Sequence, residues 1–415
     1  MRTSFRLLLA SWLVPAACLA QTSTSLGLQE ADALLLEANP AILQARAAVA
    51  GARAGIDMAG ARPNPQLSLG ITSTDPGQQG SGSFWRQPTE NTIGISQLFE
   101  RGDKRDIRLR AAGHDLSATR LDLDNTIRMA RMELASRWID LRAARETSRI
   151  AAENATLAQR AASAAELRGR AGDLPGMDVA RFAADAARVA NDAAQAELAL
   201  NHARIALAEL LGNRLPAASL STSDDWPGDE APNAPAGEGE RPDVASARSR
   251  VAQADALREL ARAQRTRDVA VGAQYERTPA SGNNAYTTNA IGLSISVPLF
   301  IGNDYRGDIA RSEADYLSAE AQLKATRSAA DSESARLRAS RDAAAVRLTR
   351  VRDVVLPAAE RAGKGADTAI QKGGMSLTDY LDTQRNLRAA RIETIQARAD
   401  LARAALMLRL AGATP

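Results

Sequence analysis

Cysteine, histidine and aromatic residues are scarce in this chain of 415 residues. It has one cysteine and two histidines, His114 and His202, and aromatic residues make up only 3% of the chain. No paired histidines, nucleophile elbow or glycine-rich phosphate loop accompany them, so the sequence predicts no enzyme, no cofactor and no metal site. Few aromatics and many alanines favour closely packed helices over a core of large side chains.

The chain also lacks an excess of one charge and a long apolar run. Its 52 lysines and arginines nearly balance its 49 aspartates and glutamates, which leaves a formal net charge of +3. Nucleic-acid binding needs a dedicated basic face, so this mixture argues against a nucleic-acid partner. No stretch supplies the roughly 20 apolar residues of a transmembrane helix, and a membrane crossing would therefore need a closed β-barrel.

The first 20 residues have the pattern of a signal peptide. Arg2 and Arg6 form a basic start, residues 7–14 form a short apolar run, and small residues precede a cleavage point after Ala20. Cleavage there would remove Cys18 and leave a mature chain without cysteine. The alternative is lipoprotein processing, with a lipid anchor at Cys18.

The rest of the chain contains two copies of one pattern, offset by about two hundred residues. We predict a first repeat over residues 21–212, a linker rich in Pro, Gly and Asp over 213–241, and a second repeat over 242–415. The matching segments are 67–70 with 269–272, 93–96 with 291–294, 98–102 with 299–302, 172–178 with 373–379, and 210–212 with 410–412.

Each repeat contains two segments in which apolar and polar residues alternate. They lie at about 66–73, 92–99, 269–276 and 291–297. Strict alternation is typical of transmembrane β-strands with apolar side chains outward, but also of a half-buried hairpin in a soluble protein. The connecting loops, 76–83 and 278–284, are rich in Gly, Ser, Gln and Asn and favour the membrane interpretation.

Each repeat also contains two long helical segments, predicted at 104–170 and 179–210 and at 306–371 and 376–410. The first would be on the order of 100 Å long at about 1.5 Å per residue. Apolar residues three and four apart form a coiled-coil seam along residues 179–210, and Pro357 is expected to kink the third helix. The helices alone would also fit a fibrous scaffold.

Four strands cannot close a barrel, and open edges would leave backbone groups unpaired in lipid. Three chains would supply twelve strands and satisfy every edge by three-fold symmetry. The predicted fold is therefore mainly α with a β-barrel contribution: long coiled-coil hairpins plus four transmembrane strands per chain in a homotrimeric channel-tunnel.

Several motifs resemble the TolC family of outer membrane efflux proteins. They are residues 26–31 with Asn39-Pro40, residues 62–67, residues 97–105, and residues 373–382. The segment 97–105 is similar to the CzcC-like subgroup of heavy-metal efflux systems. The resemblance implies the outer membrane duct of a tripartite pump, exporting heavy-metal cations with a periplasmic adaptor and an inner-membrane RND transporter.

The resemblance also implies roles for the ends of the helical hairpins. Asp379 and Asp382, six and nine residues after Gly373, would ring the periplasmic gate of the trimer. The alternative is that both acids cap or solvate a helix start. The tips would dock the adaptor, and the residues assigned to them are Gly172, Leu174, Asp178, Gly373, Gly374, Ser376 and Leu377.

Two other functions remain open at this point. The same fold serves type I protein secretion and drug efflux, and the chain offers almost no soft ligands that would select a metal. A periplasmic coiled-coil adaptor or scaffold is the more distant alternative, and it would leave the alternating strands unexplained.

Overall fold

The computed structural model describes residues 24–73, 89–223, 226, 240–280 and 285–412. The predicted signal peptide, Cys18 and the loop 76–83 lie outside these residues, and the linker 213–241 is described only in part. The helices are α1 (Leu28–Ala38), α2 (Pro40–Gly60), α3 (Lys104–Arg170), α4 (Gly176–Leu210), α5 (Pro242–Ala263), α6 (Arg306–Arg350), α7 (Leu356–Gln371) and α8 (Leu377–Ala411). The strands are β1 (Thr24–Leu26), β2 (Gln66–Ser73), β3 (Thr89–Phe99), β4 (Leu220–Thr222), β5 (Val269–Thr278) and β6 (Thr288–Ser296).

The long helices begin and end close to the predicted residues. The bounds of α3 coincide with the prediction, and α4 begins only three residues before the predicted 179. Every predicted seam position of α4 is buried or half-buried, which fits a coiled-coil packing face. At the start of α2, the Asn39 side chain accepts hydrogen bonds from two backbone N–H groups, and Pro40 occupies the first helical position.

The third long helix is divided, as Pro357 led us to expect. The α-helical segment α6 ends at Arg350, a π-helical turn spans Val351–Val355, and α7 carries Pro357 as its second residue. Proline has no backbone N–H and its ring crowds the carbonyl group four residues earlier, so the preceding turn widens. The predicted continuous helix 306–371 is therefore two helices.

A four-stranded antiparallel sheet has the order β2-β3-β5-β6. In its register Leu69 lies opposite Ile93, Ile93 opposite Tyr275, and Tyr275 opposite Ile291, so apolar residues share one face. Within the described residues, β2 and β6 each have a neighbouring strand on one side only.

The apolar face of this sheet is exposed. Leu69 is 73% exposed, Ile71 77%, Ile291 83% and Leu293 85%. The opposite face carries small and polar residues. A side chain at Gly94 would meet the Ser68 hydroxyl at 2.8 Å, so glycine lets the two strands pack on that face.

The chain divides into two compact units that each combine segments from both halves of the sequence. Of the described residues, the first unit comprises those within 24–35, 136–226 and 351–399, and the second comprises those within 36–135, 240–350 and 400–412. The first unit contains β1, β4, α4, α7 and most of α8. The second contains the four-stranded sheet with α2, α5 and α6.

In the first unit, a short parallel pair of strands holds the start of the described chain. Strand β1 pairs with β4, and the indole of Trp138 donates a hydrogen bond to the Leu26 carbonyl at 3.1 Å. The guanidinium groups of Arg142 and Arg398 both lie over the Trp226 ring, 5.4 and 5.6 Å from its centroid. The sequence predicted only a linker over residues 213–241, and it predicted neither strand β4 nor the burial of Trp226.

In the second unit, an ionic cluster of one buried and three half-buried side chains connects α3, α5 and α6. Arg128 is 4% exposed, and Arg241 contacts both Asp243 and Glu333 at 2.8 Å. Burial opposes ionisation of Asp243, but the hydrogen bonds and charge of Arg241 outweigh it and hold the Asp243 pKa below its ordinary value. The cluster therefore holds these helices together through paired rather than isolated charges.

Candidate functional site at the ends of the helical hairpins

Both helical hairpins end in the same kind of turn. Gly172 follows α3 with a φ of +82°, and Gly373 follows α7 with a φ of +72°. The amide of Asp173 donates to the Arg168 carbonyl at 2.9 Å, and the amide of Gly374 donates to the Ala369 carbonyl at the same distance. These bonds close Schellman motifs, in which a left-handed residue satisfies the last helical carbonyl groups.

The two tip glycines are required for backbone conformation. A Cβ atom at either position would meet nothing within 4 Å in this chain, so space within the chain does not require glycine. The positive φ does, because L-residues with a side chain rarely adopt it. Gly374, by contrast, has an ordinary φ, and a Cβ there would lie 3.8 Å from the Ala369 carbonyl.

The remaining predicted tip residues lie in the turns before the returning helices or in their first turns. Leu174 is half-buried, and Asp178 forms a 3.5 Å ion pair with Arg181 in the first turn of α4. Arg181 also donates to the Thr378 hydroxyl at 3.3 Å, which connects the tip of the first hairpin with that of the second. Leu377 is the first residue of α8.

Asp379 takes part in the N-terminal cap of α8, in which Ser376 is the capping residue. Its carboxylate accepts a hydrogen bond from the Ser376 hydroxyl at 2.6 Å, and its amide donates back to the same hydroxyl at 3.2 Å. The Ser376 hydroxyl thus satisfies one orphan backbone N–H at the start of α8, and the Asp379 carboxylate orients that hydroxyl. Asp382 is 58% exposed and forms a 3.1 Å ion pair with Arg385. Within one chain both acids therefore have partners.

A third acid near the tips was missed from the sequence. Asp185 of α4 is only 6% exposed, and its carboxylate lies 3.5 Å from Arg385 and 3.3 Å from Arg388 of α8. Because Arg385 contacts both Asp185 and Asp382, an ionic chain runs from the first hairpin to the predicted gate residue. The sequence contained a signal for the burial of Asp185, because this residue directly precedes Ala186, an apolar residue of the predicted coiled-coil seam.

Tyr380 connects the two helices of the second hairpin. Its hydroxyl donates to Asp367 at 3.2 Å, and the amide group of Gln384 donates to the same carboxylate oxygen at 2.9 Å. Burial, followed by the negative charge of Asp367, raises the Tyr380 pKa above its ordinary value. The raised pKa extends to more alkaline pH the range over which the phenol donates this hydrogen bond.

Among the described residues, no three His, Cys, Asp or Glu side chains are grouped so that they could hold a metal ion. None of the helices described is both long and apolar enough to cross a membrane.

A sequence profile described as "Outer membrane efflux protein" matches residues 33–213 and again residues 238–413. The chain belongs to this TolC-like family of outer membrane efflux channels, which are ducts and not enzymes. No curated protein matches the chain in sequence.

Solved outer-membrane channels share the fold. The channel OprN is 22% identical with a TM-score of 0.78, and the match covers 94% of this chain and 90% of that one. CmeC of Campylobacter jejuni is 17% identical with a TM-score of 0.80, over 93% of this chain and 85% of that one. CusC is 17% identical with a TM-score of 0.79, over 95% and 94%. The family match confirms the predicted resemblance to the TolC family. The assignment to the CzcC-like subgroup stays a prediction.

Proposed function

We propose that three copies of this chain form one efflux duct through the outer membrane and the periplasm. The observation that carries the proposal is the open four-stranded sheet whose apolar face is exposed. Exposed Leu and Ile side chains in a continuous band are costly in water and favourable in lipid. Such a band suits the outer wall of a transmembrane barrel.

The edges of the sheet support three-fold assembly. An open edge in lipid leaves backbone N–H and C=O groups without partners, at a cost of several kcal/mol each. Pairing β2 of one copy with β6 of the next would satisfy these groups, and three sheets would close a twelve-stranded barrel. The polar face, with its serines and glycines, would then line the lumen.

In the proposed duct, the helical hairpins form the periplasmic tunnel and their tips meet a periplasmic adaptor. The similar turns at Gly172 and Gly373 would present two equivalent ends per chain, six per trimer, to that partner. An inner-membrane RND transporter would supply the energy, since no nucleotide-binding motif occurs in the sequence.

We also propose that Asp379 and Asp382 form the periplasmic gate. Three-fold symmetry would gather six carboxylates around the axis and attract cations there. The contacts within one chain refine this proposal. Asp382 is exposed with a single exposed ion-pair partner, whereas Asp379 takes part in helix capping, so Asp382 is the better candidate for the ring.

The proposed cargo is a heavy-metal cation. It rests on the likeness of residues 97–105 to the CzcC-like subgroup and on the anionic gate, not on a metal site in the duct. Two further proposals rest on the sequence: a signal peptide over residues 1–20, with Cys18 either removed or lipidated, and two repeats, residues 21–212 and 242–415, joined by the linker 213–241.

The experiment is deletion of the gene, followed by growth tests with a panel of divalent metal cations and, separately, hydrophobic drugs. Lower tolerance to one or more metal cations, restored by the gene on a plasmid, is expected. Sensitivity to drugs alone, or loss of a secreted protein alone, would overturn the metal cargo while leaving the duct in place. Absence of the protein from outer-membrane fractions would overturn the duct.

A further inference from the structure

A cavity of about 620 Å³ lies where the sheet meets the helices of the second unit. We call it the junction cavity, and its lining comprises Arg62, Pro63 and the residues from Gln97 to Asp106. The Gln97 side chain donates to the Pro63 carbonyl at 2.8 Å, which joins the two lining segments. The cavity thus lies at one end of the apolar sheet face, where β3 ends and α3 begins.

Most acidic groups at this cavity are already neutralised. Glu100 accepts hydrogen bonds from both terminal nitrogens of Arg108, at 2.6 and 2.8 Å, and these bonds hold the Glu100 pKa below its ordinary value. Asp268 accepts a hydrogen bond from Lys104, which is 4% exposed. Asp106 lies 3.6 Å from Arg105. The one lining acid without an ion-pair partner in the described part of the chain is Asp103.

Several arginines around the cavity carry uncompensated charge. Arg62 and Arg101 line it, are exposed, and have no ion-pair partner among the residues that the structure describes. Arg267 lies beside Asp268, which accepts the Arg101 backbone N–H at 2.9 Å. The Arg267 guanidinium stacks 5.5 Å from the Phe300 ring centroid, without an acidic partner in the described chain. Against these three free cations stands the single carboxylate of Asp103.

Exposed apolar side chains surround the same end of the sheet. Phe99 is 54% exposed, Leu299 69% and Ile301 88%. They continue the apolar band of the strands up to the arginines. A band that ends in aromatic rings and arginines has the composition of a protein surface at the level of lipid headgroups, where the rings meet the interface and the cations meet phosphates.

We propose that the junction cavity binds the phosphate of an anionic phospholipid, with Arg62 and Arg101 as its ligands and Arg267 as a neighbouring cation. The proposal rests on the membrane position proposed above for the sheet. Guanidinium groups hold phosphate by paired hydrogen bonds, and the lipid tails would lie along Phe99, Leu299 and Ile301. A bound lipid would fix the level of the duct in the membrane.

The test is native mass spectrometry of the detergent-solubilised, delipidated protein, titrated with dioleoylphosphatidylglycerol or with dioleoylphosphatidylcholine. The wild type is expected to bind the anionic lipid preferentially. The double variant Arg62→Gln/Arg101→Gln should bind it about tenfold more weakly. The matched control is Arg336→Gln/Arg338→Gln, which removes two exposed arginines of α6 and should leave binding unchanged.

Three results would overturn the lipid site: equal affinity for the two lipids, an equal loss in both double variants, or full competition by millimolar inorganic phosphate, which would mean that free phosphate is the ligand. Circular dichroism of both variants is the check that each is folded. Outer-membrane fractionation of the wild type separates the two proposals. A protein found in that membrane without lipid preference disproves only the lipid site, whereas a protein absent from it disproves both.

Discussion

At the hairpin ends, individual residues have separate tasks. Gly172 and Gly373 provide a backbone conformation with positive φ, and Ser376 and Asp379 satisfy the start of α8. Asp185, Arg385 and Asp382 form a chain of ion pairs from α4 to the surface of α8. Changes at these positions should therefore affect different observables.

Replacing Gly373 with valine should impair efflux. A β-branched residue at a φ of +72° costs about 1–2 kcal/mol and reshapes the turn proposed to meet the adaptor. The expected result is lost tolerance to the compound that inhibits the deletion strain, with normal protein levels in the outer membrane.

Two variants control for this result. Gly365→Val adds the same side chain inside α7, where a Cβ also meets nothing within 4 Å, and should retain efflux. Gly373→Asn introduces a residue that tolerates the left-handed conformation, so this variant should retain part of the efflux activity. Full tolerance in Gly373→Val would remove the tip from the docking surface.

Asp379 and Asp382 should be separable by measuring ion selectivity and stability together. In planar bilayers, Asp382→Asn should lower the preference of the channel for cations without changing thermal stability, because its one ion pair is exposed. Asp379→Asn should also lower stability by about 0.5–1 kcal/mol, because it weakens a helix cap.

The Asp379→Asn/Asp382→Asn double variant completes this test. Cation selectivity equal to that of the wild type would mean that both acids only solvate or cap α8, and the gate would have to lie elsewhere.

The sequence predicted part of this candidate site. The turns were predictable, because glycine spacing and the repeat place both hairpin ends. The cap at Ser376 and Asp379 was considered as an alternative, because acids are favoured at helix starts. The Asp185 ion pairs were not predicted, since they join α4 to α8 across about 200 residues of sequence and no local pattern pairs them.

Among the elements, periodic segments were predicted best. The bounds of α3 and β2 coincide with the structure because helical and alternating patterns end at Gly- and Pro-containing segments. Strands β1 and β4 were missed because each has three residues, too few to show alternation. Their pairing is long-range, and no sequence pattern predicted that Trp226 would contact two arginines.

The exposed strand face gives a prediction about membrane assembly. Leu69→Arg would place a charge in the proposed lipid-facing band, with a cost of about 2–4 kcal/mol near the bilayer centre. We expect less assembled, heat-modifiable protein in outer-membrane fractions, as seen by gel electrophoresis without boiling.

The matched variant is Thr72→Arg, which adds the same charge to the opposite, polar face of β2 and should assemble normally. Equal assembly of the Leu69→Arg and Thr72→Arg proteins would mean that the apolar face does not contact lipid.

At the scale of the whole molecule, the sequence predicts a trimeric barrel of twelve strands, and one chain supplies four of them. The sheet has two open edges, and its apolar face has no covering layer in the described chain. A sheet of four strands is too narrow to close on itself, so a closed barrel requires strands from other copies. Two or four copies would also supply an even number of strands within the range of known barrels, so the number three rests on the resemblance to the TolC family.

The most direct measurement is electron cryo-microscopy of the protein extracted from outer membranes in detergent. The proposed duct should show three copies around one axis, with β2 of each copy hydrogen-bonded to β6 of its neighbour and the polar strand face lining a common lumen. A particle of one or two chains, or a trimer in which the β2 and β6 edges stay unpaired, would contradict it.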